Sequence, residues 1–172
     1  MAITKIGAGG FPSGTIIQTV SAELENDNVT SSTSFVDTGV TASITPSSTS
    51  NKVIVTICIP INAHHDNTDV QVAYQVLRDS TAIGLGTAGT GNQTNASFAT
   101  MVVNQGSGQY GLRTGNFEFL DSPSSTSALT YKVQWASTYQ DYASYINRPH
   151  STVNDDYSIF PSSTITVKEV AP

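Results

Sequence analysis

The residues best suited to chemistry in this sequence are two adjacent histidines followed by acidic residues: His64, His65, Asp66 and Asp69. Imidazole and carboxylate groups bind transition metals, and loops often carry such sites. Side chains of adjacent residues on an extended chain point in opposite directions, so His64 and His65 are badly placed to share one ion. No third ligand follows at zinc-site spacing. The pattern favours a solvated loop, and ion binding by these histidines stays open as the alternative.

Other partial motifs point away from catalysis. The glycine-rich run at residues 84–91 has neither the lysine nor the helix pattern that follows a phosphate loop. No Gly-x-Ser-x-Gly motif is present, and Cys58 lies in an apolar run, which is typical of a core residue. His150, Asp155 and Asp156 could be combined with any of 22 serines, so they indicate no triad. No acidic pair marks a glycosidase. We predict a protein that is not an enzyme and has no cofactor.

Aromatic residues are more informative. Four of the seven tyrosines and the single tryptophan, Trp135, fall within residues 135–157. We expect Trp135 in the core. Exposed tyrosine is rigid and amphipathic, which suits recognition of glycans and proteins. We therefore predict a receptor-binding surface at Tyr139, Tyr142 and Tyr145, with burial or a subunit interface as alternatives; the polar loops at residues 62–69 and 87–95 favour the same function.

The elements that must position these residues are strands. The chain has 22 serines and 23 threonines, only 12% charged residues, and few of the residues that favour helices. Short β-branched runs separated by turn residues recur about every ten to fifteen residues, as in sandwiches and barrels. Residues 52–61 are almost continuously apolar, which suits a strand covered on both faces. We predict an all-β fold in which residues 15–172 form a single antiparallel β-sandwich, jelly-roll-like, of about eight to ten strands.

A turn sequence recurs three times. Residues 46–50 and 123–127 both read PSSTS, and residues 161–164 read PSST. Proline fixes φ and the hydroxyl groups bond to nearby backbone, so each copy turns the chain before a strand. We expect three similar turns at corresponding ends of the sandwich.

The first fourteen residues form a different segment. Four glycines and a proline exclude a helix or a central strand in residues 1–14. Three apolar side chains, Ile3, Ile6 and Phe11, are spaced along it. We predict an extended arm that docks on a neighbouring subunit or a larger assembly, and a disordered leader is the alternative.

The net charge of the chain and the lack of a visible targeting signal limit the kinds of partner that we expect. A net charge of −6 and a pI near 4.7 give no basic patch for nucleic acid or anionic lipid. No signal peptide is visible, and the longest apolar stretch, residues 53–61, is too short to span a bilayer. The single cysteine excludes an internal disulfide framework. We expect a protein made soluble in the cytoplasm that binds no nucleic acid and does not insert into membranes.

The sequence resembles a module found in structural proteins of tailed bacteriophages, notably phages of cyanobacteria and marine bacteria. The resemblance covers nearly everything between residues 14 and 170, and its clearest runs are TSFVDTGVTASITP at 33–46, LRDSTAIG at 77–84 and STITVKEV at 163–170. It also includes residues 14–20, 50–55, 119–123, 131–134 and 145–148. The resemblance implies a virion protein whose module forms a trimeric β-sandwich on the virion surface, with other virion proteins as partners.

Two roles are compatible with this resemblance. In the first, the domain belongs to a tail fibre or appendage and binds a host receptor, a surface glycan. In the second, the chain is a capsid or tail decoration (cement) protein that docks through its N-terminal arm, which is short compared with the long shaft that usually precedes such a module in fibre proteins. We favour the receptor-binding role.

Overall fold

The computed structural model describes residues 11–63, 69–102, 110–138 and 142–172, which form two packed antiparallel β-sheets. The strands are β1 (Ile16–Leu24), β2 (Asn28–Thr30), β3 (Val36–Ile44), β4 (Lys52–Ala63), β5 (Val70–Arg78), β6 (Thr81–Ile83), β7 (Phe98–Val102), β8 (Arg113–Asp121), β9 (Leu129–Ser137), β10 (Ser144–Ile146) and β11 (Ser163–Val170). The predicted all-β sandwich is confirmed. The described residues contain eleven strands instead of the predicted eight to ten, and three of these strands span only three residues each.

Strands from distant parts of the sequence lie side by side. In sheet 1, β4 is central: β8 pairs with one edge, while β11 and then β10 pair with the other, followed by β1 and β2 respectively. In sheet 2, β9 lies between β3 and β5, and β6 and β7 pair with successive parts of β5. The chain crosses repeatedly between the sheets, as in a jelly roll.

The core lies between the sheets and follows the period-two pattern of the strands. In β4, the side chains at residues 53, 55, 57, 59 and 61 are buried, and in β9 those at 129, 131, 133 and 135 face them. Trp135 is fully buried, as predicted. Cys58 is not a core residue, because it alternates with the buried positions and lies half-buried on the outer face of sheet 1.

A proline in the middle of a central strand is unusual because it cannot donate a backbone hydrogen bond. Pro60 of β4 is tolerated because of where its nitrogen points. Its carbonyl accepts a bond from the Asn147 amide at 3.1 Å, so its nitrogen faces the same side of the strand. On that side the pairing with β11 ends at Cys58 and the pairing with β10 begins at Ile61. The missing donor therefore falls in the gap between two partner strands.

The sandwich has two distinct ends. We call the end that holds Gly14 and Ala171 the terminal end, and the end that holds the β1–β3, β4–β5, β7–β8 and β9–β11 connections the loop end. The repeated turns at residues 46–50 and 123–127 both lie at the terminal end. The third, at residues 161–164, lies at the loop end, because β11 runs antiparallel to β4. The expectation of three corresponding turns is therefore wrong for this copy.

Candidate functional site

The predicted arm begins at the terminal end. Ile3 and Ile6 lie outside the described residues, and Phe11 is half-buried. The Gly14 amide donates to the Ala171 carbonyl at 3.1 Å, and the Ala171 amide donates to the Thr15 carbonyl at 2.9 Å. Both ends of the described chain are therefore held together, so the residues before Gly14 leave the sandwich beside its C-terminus.

The predicted tyrosine surface is only partly described. Tyr139 lies outside the described residues, and Tyr142 is half-buried just before β10. Tyr145 lies on the outer face of sheet 1, because its neighbour Ile146 points into the core. The guanidinium of Arg148 lies 4.3 Å from the centre of the Tyr145 ring, and the His150 ring lies 5.4 Å from it. These contacts occupy much of the aromatic surface that Tyr145 was predicted to offer to a receptor.

A cavity of about 510 Å³ lies on the outer face of sheet 2, close to the loop end. Its floor contains three alanines in register on neighbouring strands: Ala99 of β7 pairs with Ala73 of β5, which pairs with Ala136 of β9. Gln71 and Thr138 line the cavity beside this row, and the Thr138 hydroxyl donates to the Gln71 carbonyl at 3.0 Å. Because alanine methyl groups are short, the row forms a depression between taller side chains.

The loop between β6 and β7 forms the wall of the cavity, with Asn92, Gln93, Thr94 and Ala96 in the lining. Internal hydrogen bonds hold this loop in shape. The Thr90 amide donates to Gln93 Oε1 at 2.8 Å, and the Gly89 amide donates to Asn95 Oδ1 at 3.0 Å. The Gly86 amide donates to the Ala96 carbonyl at 3.0 Å, which closes the base of the loop.

The neighbouring Ser97 ties this loop to the sheet. Its amide donates to the Tyr74 carbonyl at 2.7 Å, and its hydroxyl donates to the Ile83 carbonyl at 2.8 Å. The same hydroxyl accepts a bond from the Val76 amide at 2.9 Å. The wall is therefore anchored at its C-terminal side to β5 and β6.

The described residues that line the cavity are uncharged. They combine amide and hydroxyl side chains with small aliphatic ones: Thr33, Gln71, Val72, Ala73, Asn92, Gln93, Thr94, Ala96, Ala99, Ala136, Ser137 and Thr138. Elsewhere on this face, Asp37 accepts hydrogen bonds from Gln134 at 2.7 Å and Lys132 at 3.0 Å. The bond from Gln134, followed by that from Lys132, lowers the pKa of Asp37. The Asp37 carboxylate is therefore already hydrogen-bonded and paired with the ammonium group of Lys132.

The sequence does not predict this cavity. The polar loop at residues 87–95 is expected from the sequence to favour receptor binding, and three residues of the cavity wall come from it. The alanine floor was missed. Its signal is a small residue at an outward position of each of three strands, where polar residues are usual, but recognising it requires the register between strands that are distant in the sequence.

The other chemical candidates give no site. Within the described ranges, no three His, Cys, Asp or Glu residues are grouped closely enough to hold a metal ion, and His64 and His65 fall outside those ranges. The part of the chain that the structure describes has no helix able to cross a membrane. His150 donates its amide to Asn62 Oδ1 at 3.1 Å, which attaches the loop after β10 to β4.

Comparisons with known proteins leave the family undecided. The sequence matches no protein-family model, and it matches no curated protein. The resemblance to bacteriophage virion proteins therefore stays a prediction.

Proposed function

We propose that this chain is a surface domain of a tailed-bacteriophage virion that binds a glycan on the host surface, as a homotrimer in a tail fibre or appendage. In this proposal the chain acts by binding and not by catalysis. Its N-terminal arm, with Ile3, Ile6 and Phe11, attaches it to other virion proteins, and the opposite end meets the host. It is made in the host cytoplasm and works on the virion surface.

The observation that carries the proposal is the separation of the cavity from the chain termini. The arm leaves at the terminal end, beside Ala171, whereas the cavity lies near the loop end. The twelve residues of β4 connect the two ends and span about 36 Å at the usual rise per residue. A domain anchored by its arm would therefore hold the cavity away from its support, as a receptor-binding domain requires.

The homotrimer has its own support. The outer face of sheet 1 carries partly buried apolar side chains at Ile54 and Cys58 and a half-exposed Leu120 on the neighbouring strand. Central strands are usually apolar on both faces only when both faces are covered. A second copy packed on this face would supply the cover.

Immunogold labelling of purified virions tests the proposed location. We expect a few copies of the label at the tail tip or on its appendages, and purified chain added to host cells should reduce phage adsorption. No label on virions, or adsorption unchanged by saturating chain, would contradict the receptor-binding role.

The second candidate function is capsid or tail decoration. It is favoured by the hydrogen bonds that hold Gly14 against Ala171, because they fix the point from which a short arm could insert into a scaffold. Here immunogold would show hundreds of copies on the head or along the tail. Deletion of residues 1–12 would then abolish incorporation while the domain stays folded, as measured by circular dichroism and by gel analysis of purified virions.

A further inference from the structure

We propose that the cavity on sheet 2 binds an uncharged saccharide, and that it discriminates against sugars carrying carboxylate, sulfate or phosphate groups. The inference rests on the proposed function for the source of the saccharide, a neutral polysaccharide of the host surface. Recognition then lies with the alanine floor and the amide wall, and not with the tyrosines that the sequence predicts.

The cavity has the size and shape of a site for a small molecule. A volume of about 510 Å³ is within the usual range of roughly 300–1,000 Å³ for small-molecule sites. The floor formed by Ala73, Ala99 and Ala136 is a short apolar strip. A pyranose ring has an apolar face of C–H groups and a rim of hydroxyl groups. The strip suits the C–H face, and the wall stands where the hydroxyl groups would lie.

The amide and hydroxyl side chains that line the cavity can form hydrogen bonds with sugar hydroxyl groups. A side-chain amide offers two donors and an acceptor, and a hydroxyl offers both roles, so these groups match sugar hydroxyls in either direction. Gln93 Oε1 accepts its bond from Thr90, which fixes the amide and leaves its nitrogen as a donor. Gln71, Asn92 and Thr94 are exposed polar residues of the same lining. Four side chains of the lining are therefore available to a ligand.

The charge of the cavity lining disfavours anionic sugars. Among the described residues, no lysine, arginine, histidine, aspartate or glutamate lines the cavity. Burying an anionic group without a partner is costly, and the net charge of −6 adds long-range repulsion. Sialylated, uronic or phosphorylated sugars would lose their hydration without gaining a cation. The site therefore selects uncharged sugars by the absence of a counter-charge in its lining.

The test uses the purified full chain on an array of printed oligosaccharides divided into uncharged and anionic sets. We expect binding within the uncharged set and not within the anionic set. The tightest uncharged oligosaccharide is then titrated by calorimetry against wild type and variants. Absence of any uncharged binder, or equal binding of the anionic set, would overturn the inference.

Two variants locate the binding. Ala99→Trp places an indole on the floor at an exposed strand position, and we expect affinity to fall by about tenfold or more. Asn92→Ala removes one amide of the wall and should lower affinity by about three- to tenfold, as expected for one or two hydrogen bonds. Ser43→Trp is the matched control, because it adds the same indole at an exposed position of β3 on the same face of sheet 2, at the terminal end and away from the cavity. Unchanged affinity in Ala99→Trp, or an equal loss in Ser43→Trp, would place the binding elsewhere and overturn the inference.

These outcomes are independent of the virion experiment. A chain that binds uncharged sugars through the cavity but never labels virions would retain the inferred site and lose the proposed function. A chain that labels tail appendages but binds no uncharged sugar would retain the virion role and lose the inferred site.

Discussion

Glu169 is a fully buried carboxylate whose hydrogen-bond donors are all uncharged. Its Oε1 accepts bonds from the Ser47 amide at 2.6 Å, the Ser47 hydroxyl at 2.8 Å and the Asn51 amide group at 2.5 Å. Its Oε2 accepts a bond from Gln18 at 2.6 Å. Since these residues lie in β1 and in the β3–β4 turn, the carboxylate joins three segments at the terminal end, close to the point where the arm begins.

The first prediction concerns the pH dependence that Glu169 gives to stability. Burial alone would raise its pKa, but the hydrogen bonds from Asn51, Ser47 and Gln18 outweigh burial and hold the pKa below its ordinary value of 4.5. The carboxylate therefore stabilises the fold fully above pH 4.5, and this contribution is lost as the pH falls through the lower folded value. We expect Glu169→Gln to reduce the free energy of unfolding at pH 7 by about 1–3 kcal/mol, because an amide NH₂ would face existing donors.

Urea unfolding of wild type and Glu169→Gln at a series of pH values measures this effect. The difference between the two proteins should shrink below pH 4.5, where the wild-type carboxyl group begins to take up a proton. Glu25→Gln is the control, since Glu25 is exposed and the substitution should change stability little at any pH. A difference that stays constant down to acidic pH would contradict the assigned role.

At the scale of elements, a stack of aromatic rings packs between the two sheets beside the β7–β8 edge. Phe98 of β7 stacks on Tyr74 of β5 with ring centres 4.4 Å apart, and on Phe117 of β8 at 5.3 Å. Gly84, just after β6, makes room for the stack: a Cβ atom there would lie 2.8 Å from the tip of the Phe117 ring. This contact joins sheet 2 to sheet 1 along an edge where the two strands do not pair.

The second prediction tests that close approach. Gly84 and Gly91 share the same φ of +63°, but a Cβ at Gly91 would meet nothing within 4 Å. Gly91→Ala should cost only the left-handed backbone strain, about 1–2 kcal/mol. Gly84→Ala should cost about 1–3 kcal/mol more, because the methyl group also pushes the Phe117 ring. Chemical denaturation of both variants checks the comparison, and equal losses would show that the clash is relieved without cost.

The pattern of a single strand can be predicted from the sequence, whereas contacts between distant strands cannot. The alternation of Val40, Ala42 and Ile44 is the period-two pattern of a half-buried strand, and all three residues point into the core. The three residues of β2 carry no such pattern, because so short a strand has no detectable period. The row of alanines and the partners of Glu169 could not be predicted, since both depend on register between strands separated by many residues.

At the scale of the whole molecule, two surfaces of the sandwich lack the cover that their composition calls for. One is the outer face of sheet 1 around Ile54, Cys58 and Leu120. The other is the β7–β8 edge, where Phe117 and Phe119 are only partly buried and neither edge strand has a further partner within the described residues. Proteins normally protect an edge strand, because its unpaired backbone groups can pair with another chain. Because the two surfaces differ, a contact between them would join copies head to tail, and three copies could close such a contact into a ring.

The third prediction is that the purified full chain is a trimer with three times the chain mass of 18.1 kDa in analytical ultracentrifugation. Leu120→Lys should dissociate it, because Leu120 is 50% exposed beside Ile54 and burying an ammonium group in a contact at this position is costly. Val29→Lys is the matched control: Val29 is 51% exposed on the outer face of the same sheet, but it lies on β2 at the loop end, whereas Leu120 lies at the terminal end. The control should remain trimeric, and both variants should unfold like the wild-type chain at low concentration. A monomeric wild type at micromolar concentration, or a trimeric Leu120→Lys, would contradict an interface on this face.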